Sequence, residues 1–170
     1  SYRRQRQMCI RDRYINKNNI QNLIGIKEEI KDPETKRIFS PTFSVDPNNK
    51  IPFPAQFDDL SRLHFIARSR KVTTILEFGV GYSSIILADA LRKNQLEFEA
   101  YTAENLRRDN LYECHSIDNY ESWIKSIKMK VPNELTEKII FHLSELNLGT
   151  FNDRMCTFYN PLPNLCPDLI

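Results

Sequence analysis

Residues 72–84 read Val-Thr-Thr-Ile-Leu-Glu-Phe-Gly-Val-Gly-Tyr-Ser-Ser, and no other stretch narrows the fold as far. The apolar run 72–76 enters a strand, and an acid, Glu77, closes it. Gly79 and Gly81 then turn the chain into a helix, with Ser83 or Ser84 expected as its N-cap. The chain has only four glycines, and two of them fall in this turn. Glycine at a strand-to-helix turn lets the backbone come close to a ligand. The acid at the strand end offers a carboxylate to a cation or to hydroxyls.

The turn lacks the Gly-Lys-Ser/Thr of a phosphate-binding P-loop. The dinucleotide fingerprint wants a third Gly or Ala where this chain has Ser84. Glu-x-Gly-x-Gly at the end of a first strand instead resembles motif I of the class I S-adenosylmethionine-dependent methyltransferases. The resemblance implies a Rossmann-like α/β fold and S-adenosylmethionine as cofactor. It implies cofactor contacts from Glu77, Phe78, Gly79, Gly81, Tyr82 and Ser83, with the acid near the methionine end. A plain tight turn without a ligand is the alternative.

Downstream, strands alternate with amphipathic helices, as βαβ units of a parallel sheet do. A helix is expected from Asp58 or Asp59 to about Arg70, with Leu60, Leu63, His64 and Ala67 facing inward. Strands are expected over 72–78, 112–118 and 138–143, with helices over 83–93 and 120–130. In the second helix Trp123 and Ile127 stack at i, i+4. The charged stretch 95–112 reads as an insertion, 150–163 as a hairpin-like excursion, and Asp168 as the start of a fourth strand. The predicted sheet has 72–78 at its centre, flanked by 112–118 and then 138–143.

In such sheets ligands sit at the carboxyl ends of strands. Asp118 closes the second strand and matches the family's ribose-binding acid; a helix N-cap is its other reading. It lies 39 residues beyond Gly79, whereas about 20 is usual for dinucleotide folds. Glu99 stands at the usual distance, but within a stretch without a convincing strand. Ser144 and Glu145 follow the third strand, where the family meets the adenine. Arg107 and Arg108 could hold an anion or simply face solvent. His64, His115 and His142 are far apart in sequence and are expected to pack as ordinary histidines, with no metal site.

The resemblance covers residues 56–145 best and 56–170 loosely. Leu162-Pro163-Asn164 and Pro167-Asp168-Leu169-Ile170 look like the approach to strand four in uncharacterised bacterial methyltransferase-like proteins. The family's motif IV would begin just beyond, so 56–170 reads as the partial, cofactor-binding half of the domain. Such a half, expressed alone, is expected to aggregate and to be inactive. The methyl acceptor, a small molecule or a glycan, and the catalytic base are left open. Other nucleotide enzymes of this fold (NAD-dependent or aminopropyl-transferring) and a non-catalytic binding module are the competing readings.

Residues 14–55 read as an N-terminal extension, broken by Pro33, Pro41, Pro47, Pro52 and Pro54. Residues 1–13, SYRRQRQMCIRDR, have no apolar periodicity and no secretory h-region. They look like the translated adaptor sequence that recurs at the ends of reading frames from metagenomic assemblies; a transit peptide or nucleic-acid arm is the alternative. They carry five Arg and one Asp, net +4, so a full-chain charge of +2 leaves −2 for the remainder. That removes the compositional case for nucleic acid. No apolar run approaches membrane-spanning length. Cys9, Cys114, Cys156 and Cys166 show no C-x-x-C spacing, so reduced thiols in a cytoplasm are expected.

Overall fold

A computed structural model describes residues 2–25 and 55–170, with side chains from residue 10 onward. The proline-rich part of the expected extension, 26–54, lies outside the described residues. Helix α1 (Tyr2–Asn18) is followed by a short α2 (Ile20–Leu23) after Asn19, which takes a left-handed φ of 56°. Helix α3 (Phe57–Ser69) leads to strand β1 (Thr74–Phe78), helix α4 (Tyr82–Asn105) and strand β2 (Glu113–Asp118). Helix α5 (Glu121–Lys128), a 3₁₀ turn (Asn133–Lys138) and strand β3 (Ile139–Leu143) complete the α/β unit, and β4 (Glu145–Phe151) and β5 (Arg154–Asn160) form a hairpin.

The sheet order is β1-β2-β3, all parallel, with Ile75 opposite Cys114 and Cys114 opposite Ile139. On the far side of β1, Leu169 bridges Ile75 in parallel. The expected order of the three strands is thus present, with β2 rather than β1 in the middle of the three, and the chain returns to the far side of β1 at the place expected for a fourth strand. Asp168 fastens this return. Its carboxylate accepts the Thr73 amide (2.8 Å), the Thr73 hydroxyl (2.7 Å) and an Arg108 guanidinium. Burial works to raise its pKa, and these partners outweigh it and hold the carboxyl below the ordinary value.

The apolar alternation of the strands places Ile75, Cys114 and Ile139 on one sheet face. Helix α4 crosses that face, with α3 on one flank and α5 on the other. Ala67, Val72, Leu87, Ala90 and Leu91 fill the α3 side. Ile85, Ala88, Ile124, Ile127 and Leu135 fill the α5 side. A third cluster joins Ile15 and Ile20 to Phe57, Leu60 and Ile86, so the first two helices pack on the domain. Within the segment read as adaptor sequence, Arg11 bonds to Asp12 and Asp58.

Two expectations fail here. The first is the insertion over 95–112. Helix α4 does not stop near Lys93; it runs for 24 residues. Residues 95–105 contain no Gly or Pro and are rich in Glu and Ala, both permissive in a helix. Gln95 donates to Glu99 one turn on (2.9 Å), Lys71 lies 4.7 Å from the centre of the Phe98 ring, and the buried Thr102 hydroxyl meets that of Tyr112 (2.8 Å). The second is the hairpin, which begins at Glu145 rather than near 150. Its turn is Asn152-Asp153, both at positive φ, as two-residue hairpin loops require.

Helices α1, α3 and α4 are also tied by a buried polar chain. The Tyr14 hydroxyl meets His64 Nδ1 at 2.6 Å, and His64 Nε2 meets Asp89 at 2.9 Å. Lys93 and Arg92 complete the Asp89 shell at 2.6 and 3.1 Å. Asp89 is an acceptor, so His64 carries its proton on Nε2 and takes the Tyr14 proton on Nδ1. Burial lowers the His64 pKa more than Asp89 raises it. For Asp89, burial would raise the pKa, but the bonds from His64 and Lys93 outweigh it and bring it down to about 2.

Both shifts lower the folded-state pKa, so both stabilise at higher pH and are lost on acidification. The His64 contribution should fade as pH falls below 6.5, and that of Asp89, about 2 kcal/mol, between roughly pH 4 and 2. Thermal midpoints of the chain and of His64→Gln between pH 8 and 5 check this. The native chain should lose stability across that range, and the variant should show a flatter profile.

Candidate functional site

The site is built on the end of β1. Gly79 has φ +92°, a left-handed conformation open to few residues other than glycine, and its amide donates to Ile117 O (2.8 Å). Gly81 differs. Its φ of −164° is ordinary extended backbone, and an added Cβ would meet only Ser83 Oγ, at 3.7 Å. Neither the turn nor the surrounding protein therefore demands glycine at 81.

The N-cap of α4 is Gly81, not Ser83 or Ser84 as expected. The helix starts one residue sooner, which frees both serines for Glu77. Ser83 Oγ donates to Glu77 Oε1, and Ser84 Oγ and Ser116 Oγ (2.7 Å) donate to Oε2. Ser84 Oγ also accepts the Gly81 amide at 3.3 Å. Burial raises the Glu77 pKa; the three hydroxyls oppose this, and the Asp118 charge adds to it. Oε2 is saturated by two donors, while Oε1 keeps a lone pair for a further partner.

Asp118 is 3% exposed, and both its oxygens are engaged. Oδ2 accepts the Val80 amide (2.9 Å) and Oδ1 the Tyr120 amide (2.8 Å). One carboxylate thereby pins the glycine turn to the end of β2 and sets the entry to α5. The N-cap of α5 is Tyr120 rather than Asp118, which instead accepts that residue's amide and also lines the hollow.

That hollow, about 450 Å³, is walled by Glu77, Phe78, Gly79, Gly81, Tyr82, Ser83 and Asp118. These are seven of the nine expected contacts. Ser144 and Glu145 lie instead in a separate hollow of about 560 Å³, with Asn119, Leu143, Asn160 and Pro161. Ser144 is buried, donating its amide to Asp118 O (3.0 Å) and its hydroxyl to Pro161 O (2.7 Å). Glu145 is exposed at the start of β4. Glu99 sits on the outer surface of α4, away from the hollow, so Asp118 is the acid that the fold brings to the turn.

The opposite wall was not foreseen. Gln56, Asp59, Leu60 and Leu63 come from the start of α3, and Trp123 from α5. The sequence showed the inward stripe of α3 but not that its first turn faces the glycines. Among the described residues the lining contains three carboxylates, Asp59, Glu77 and Asp118, and no lysine or arginine. Such a cavity favours a ligand with positive charge and disfavours a pyrophosphate. The amide end of α4, with its partial positive charge, is the one place in it suited to an anionic group.

The histidines are also closer than their spacing suggested. His115 and His142 lie 27 residues apart, yet their rings hydrogen-bond at 3.0 Å across adjacent strands. Among the described residues no group of His, Cys, Asp or Glu is placed to hold a metal ion, and no helix is long and apolar enough to cross a membrane.

Asp118→Asn tests the latch. An amide oxygen can replace only one carboxylate oxygen, so one backbone N–H loses its acceptor. The expected loss is about 1–3 kcal/mol in denaturant unfolding. An unchanged midpoint would show that the turn holds without Asp118.

Compared with known protein families, with characterised proteins and with solved structures, the chain matches none.

Proposed function

We propose that this chain binds S-adenosylmethionine at the end of β1 and belongs to an enzyme that transfers the methyl group to a small-molecule or glycan acceptor. The observation that carries this reading is that, among the described residues, every charged side chain lining the cavity around the Glu77-x-Gly79-x-Gly81 turn is an acid. The cofactor supplies a methyl group already activated on a positively charged sulfur. The protein then has to bind, align and exclude water. Glu77, through its free Oε1 lone pair, suits the cationic part of such a ligand, with Asp59, which pairs with Arg62 at 3.7 Å, on the facing wall. The first amides of α4 suit its carboxylate. Bare Cα positions at Gly79 and Gly81 leave room for close approach.

The same lining weighs against the NAD reading, since three carboxylates oppose a dianionic pyrophosphate. It weighs less against aminopropyl transfer, whose donor is also a sulfonium but lacks the carboxylate. A binding module without turnover would share the cleft and differ only in activity.

Calorimetric titration with S-adenosylmethionine, its decarboxylated analogue and NAD separates these readings. Binding of the first is expected, with no heat from NAD. Tighter binding of the decarboxylated form would favour aminopropyl transfer, and binding of NAD alone would overturn the proposal. Affinity should rise with pH as the buried Glu77 ionises, because only its carboxylate attracts the ligand charge. Gly81→Val is the sharpest variant. Its backbone is extended and its surroundings open, so the thermal midpoint should hold within about a degree. Its branched side chain should still block the cofactor.

A further inference from the structure

On strand β2, Glu113 and His115 project to the sheet face opposite α4, and His142 of β3 joins them there. Glu113 Oε2 accepts from the Asn110 amide group at 3.0 Å and meets His115 Nε2 at 3.0 Å. His115 Nδ1 meets His142 Nε2, again at 3.0 Å. The two imidazoles are tilted by only 13°, with centroids 5.2 Å apart. They therefore lie end to end, with the hydrogen bond along the line between the rings. His115 is 5% exposed, whereas His142 is partly open to solvent.

The donors along this row follow in order. The Asn110 amide can only donate, so Glu113 Oε2 acts as an acceptor and His115 Nε2 must carry a proton. In a neutral ring His115 Nδ1 is then a bare lone pair, and it takes the proton of His142 Nε2. That leaves His142 Nδ1 unprotonated, with no partner among the described residues. Burial, and then the neighbouring His115, keep the His142 pKa below its usual value, in line with a free base at neutral pH. Among the described residues, His115 and, beyond it, Glu113 are the titratable groups in this row.

We propose that Glu113, His115 and His142 form a proton relay that opens at His142 Nδ1, and that this nitrogen accepts a proton from a protic ligand, a hydroxyl or an ammonium, at the β3 side of the sheet. The balance is simple. The ligand O–H or N–H bond breaks, and its proton goes to His142 Nδ1. The Nε2 proton of His142 passes to His115 Nδ1. The positive charge comes to rest on the buried His115, against the Glu113 carboxylate, and the ligand keeps the electron pair. The relay does not depend on which cofactor the acidic cavity holds.

Long-range proton–nitrogen NMR of the histidine rings in the intact chain, from pH 5 to 8, tests the donor order without needing activity. Both His115 and His142 should be Nε2–H tautomers at pH 8. A Nδ1–H tautomer at His142 would overturn the proposal. In Glu113→Gln the midpoint of the His142 titration should fall by about one pH unit, because the charge delivered to His115 has lost its counter-ion. An unmoved midpoint in a folded variant would mean that the row conducts no charge. Acylation by diethyl pyrocarbonate gives a third readout on the native chain. His142 should react while the fully buried His64 does not, and failure of His142 to react would show that its Nδ1 is not an available base.

Discussion

The carboxylate of Asp118 is the interaction on which this architecture turns. It sits at the end of β2 but is spent on amides from two other elements, Val80 in the glycine turn and Tyr120 at the start of α5. A buried backbone N–H without a partner costs about 1–3 kcal/mol, and here one side chain satisfies two. The turn after β1 is thus set by β2, which the parallel register places beside it, Phe78 opposite Ile117. Without that latch the positive φ of Gly79 would be one turn geometry among several. With it, the mouth of the cavity has a fixed shape.

Glu77 obeys a different economy. Its carboxylate is drawn into the protein by three serine hydroxyls, two from the first turn of α4 and one from β2. The same shift of the helix start that moved the N-cap to Gly81 made both serines available here, Ser84 while it also accepts the Gly81 amide. Two acids near each other, each partly desolvated, form a site that resists its own charge, as the effect of Asp118 on Glu77 shows. A ligand with positive charge relieves that repulsion; an anion compounds it.

How much of this could be read beforehand depends on distance along the chain. The three core strands, their order and the glycine turn were legible because each rests on local patterning: an apolar run, a closing acid, glycine at a turn. The length of α4 is not legible from charge: the charged stretch 95–112 reads as an insertion, while helix propensity and the lack of Gly and Pro over 95–105 extend the helix. The wall contributed by Gln56 and Asp59 was not legible, since a first helical turn carries the same acids whether it faces solvent or a cleft. The pairing of His115 with His142 was hidden for a related reason. Parallel strands are joined by a crossover, so side chains that touch are separated by a whole helix in sequence.

The two glycines of the turn show how function can be separated from folding within one motif. Gly79 is required by its own backbone, and a turn with no ligand would need it equally. Gly81 has an unremarkable φ and open space where a Cβ would stand; its place as N-cap of α4 suits glycine without requiring it. Other N-cap residues would serve the helix as well, so the bare Cα chiefly keeps the space beside it open. That space opens onto the acidic hollow and the first amides of α4. Of the features that resemble a cofactor-binding turn, Gly81 is therefore the one that the turn's own backbone does not demand, while Gly79 and Asp118 serve the turn first.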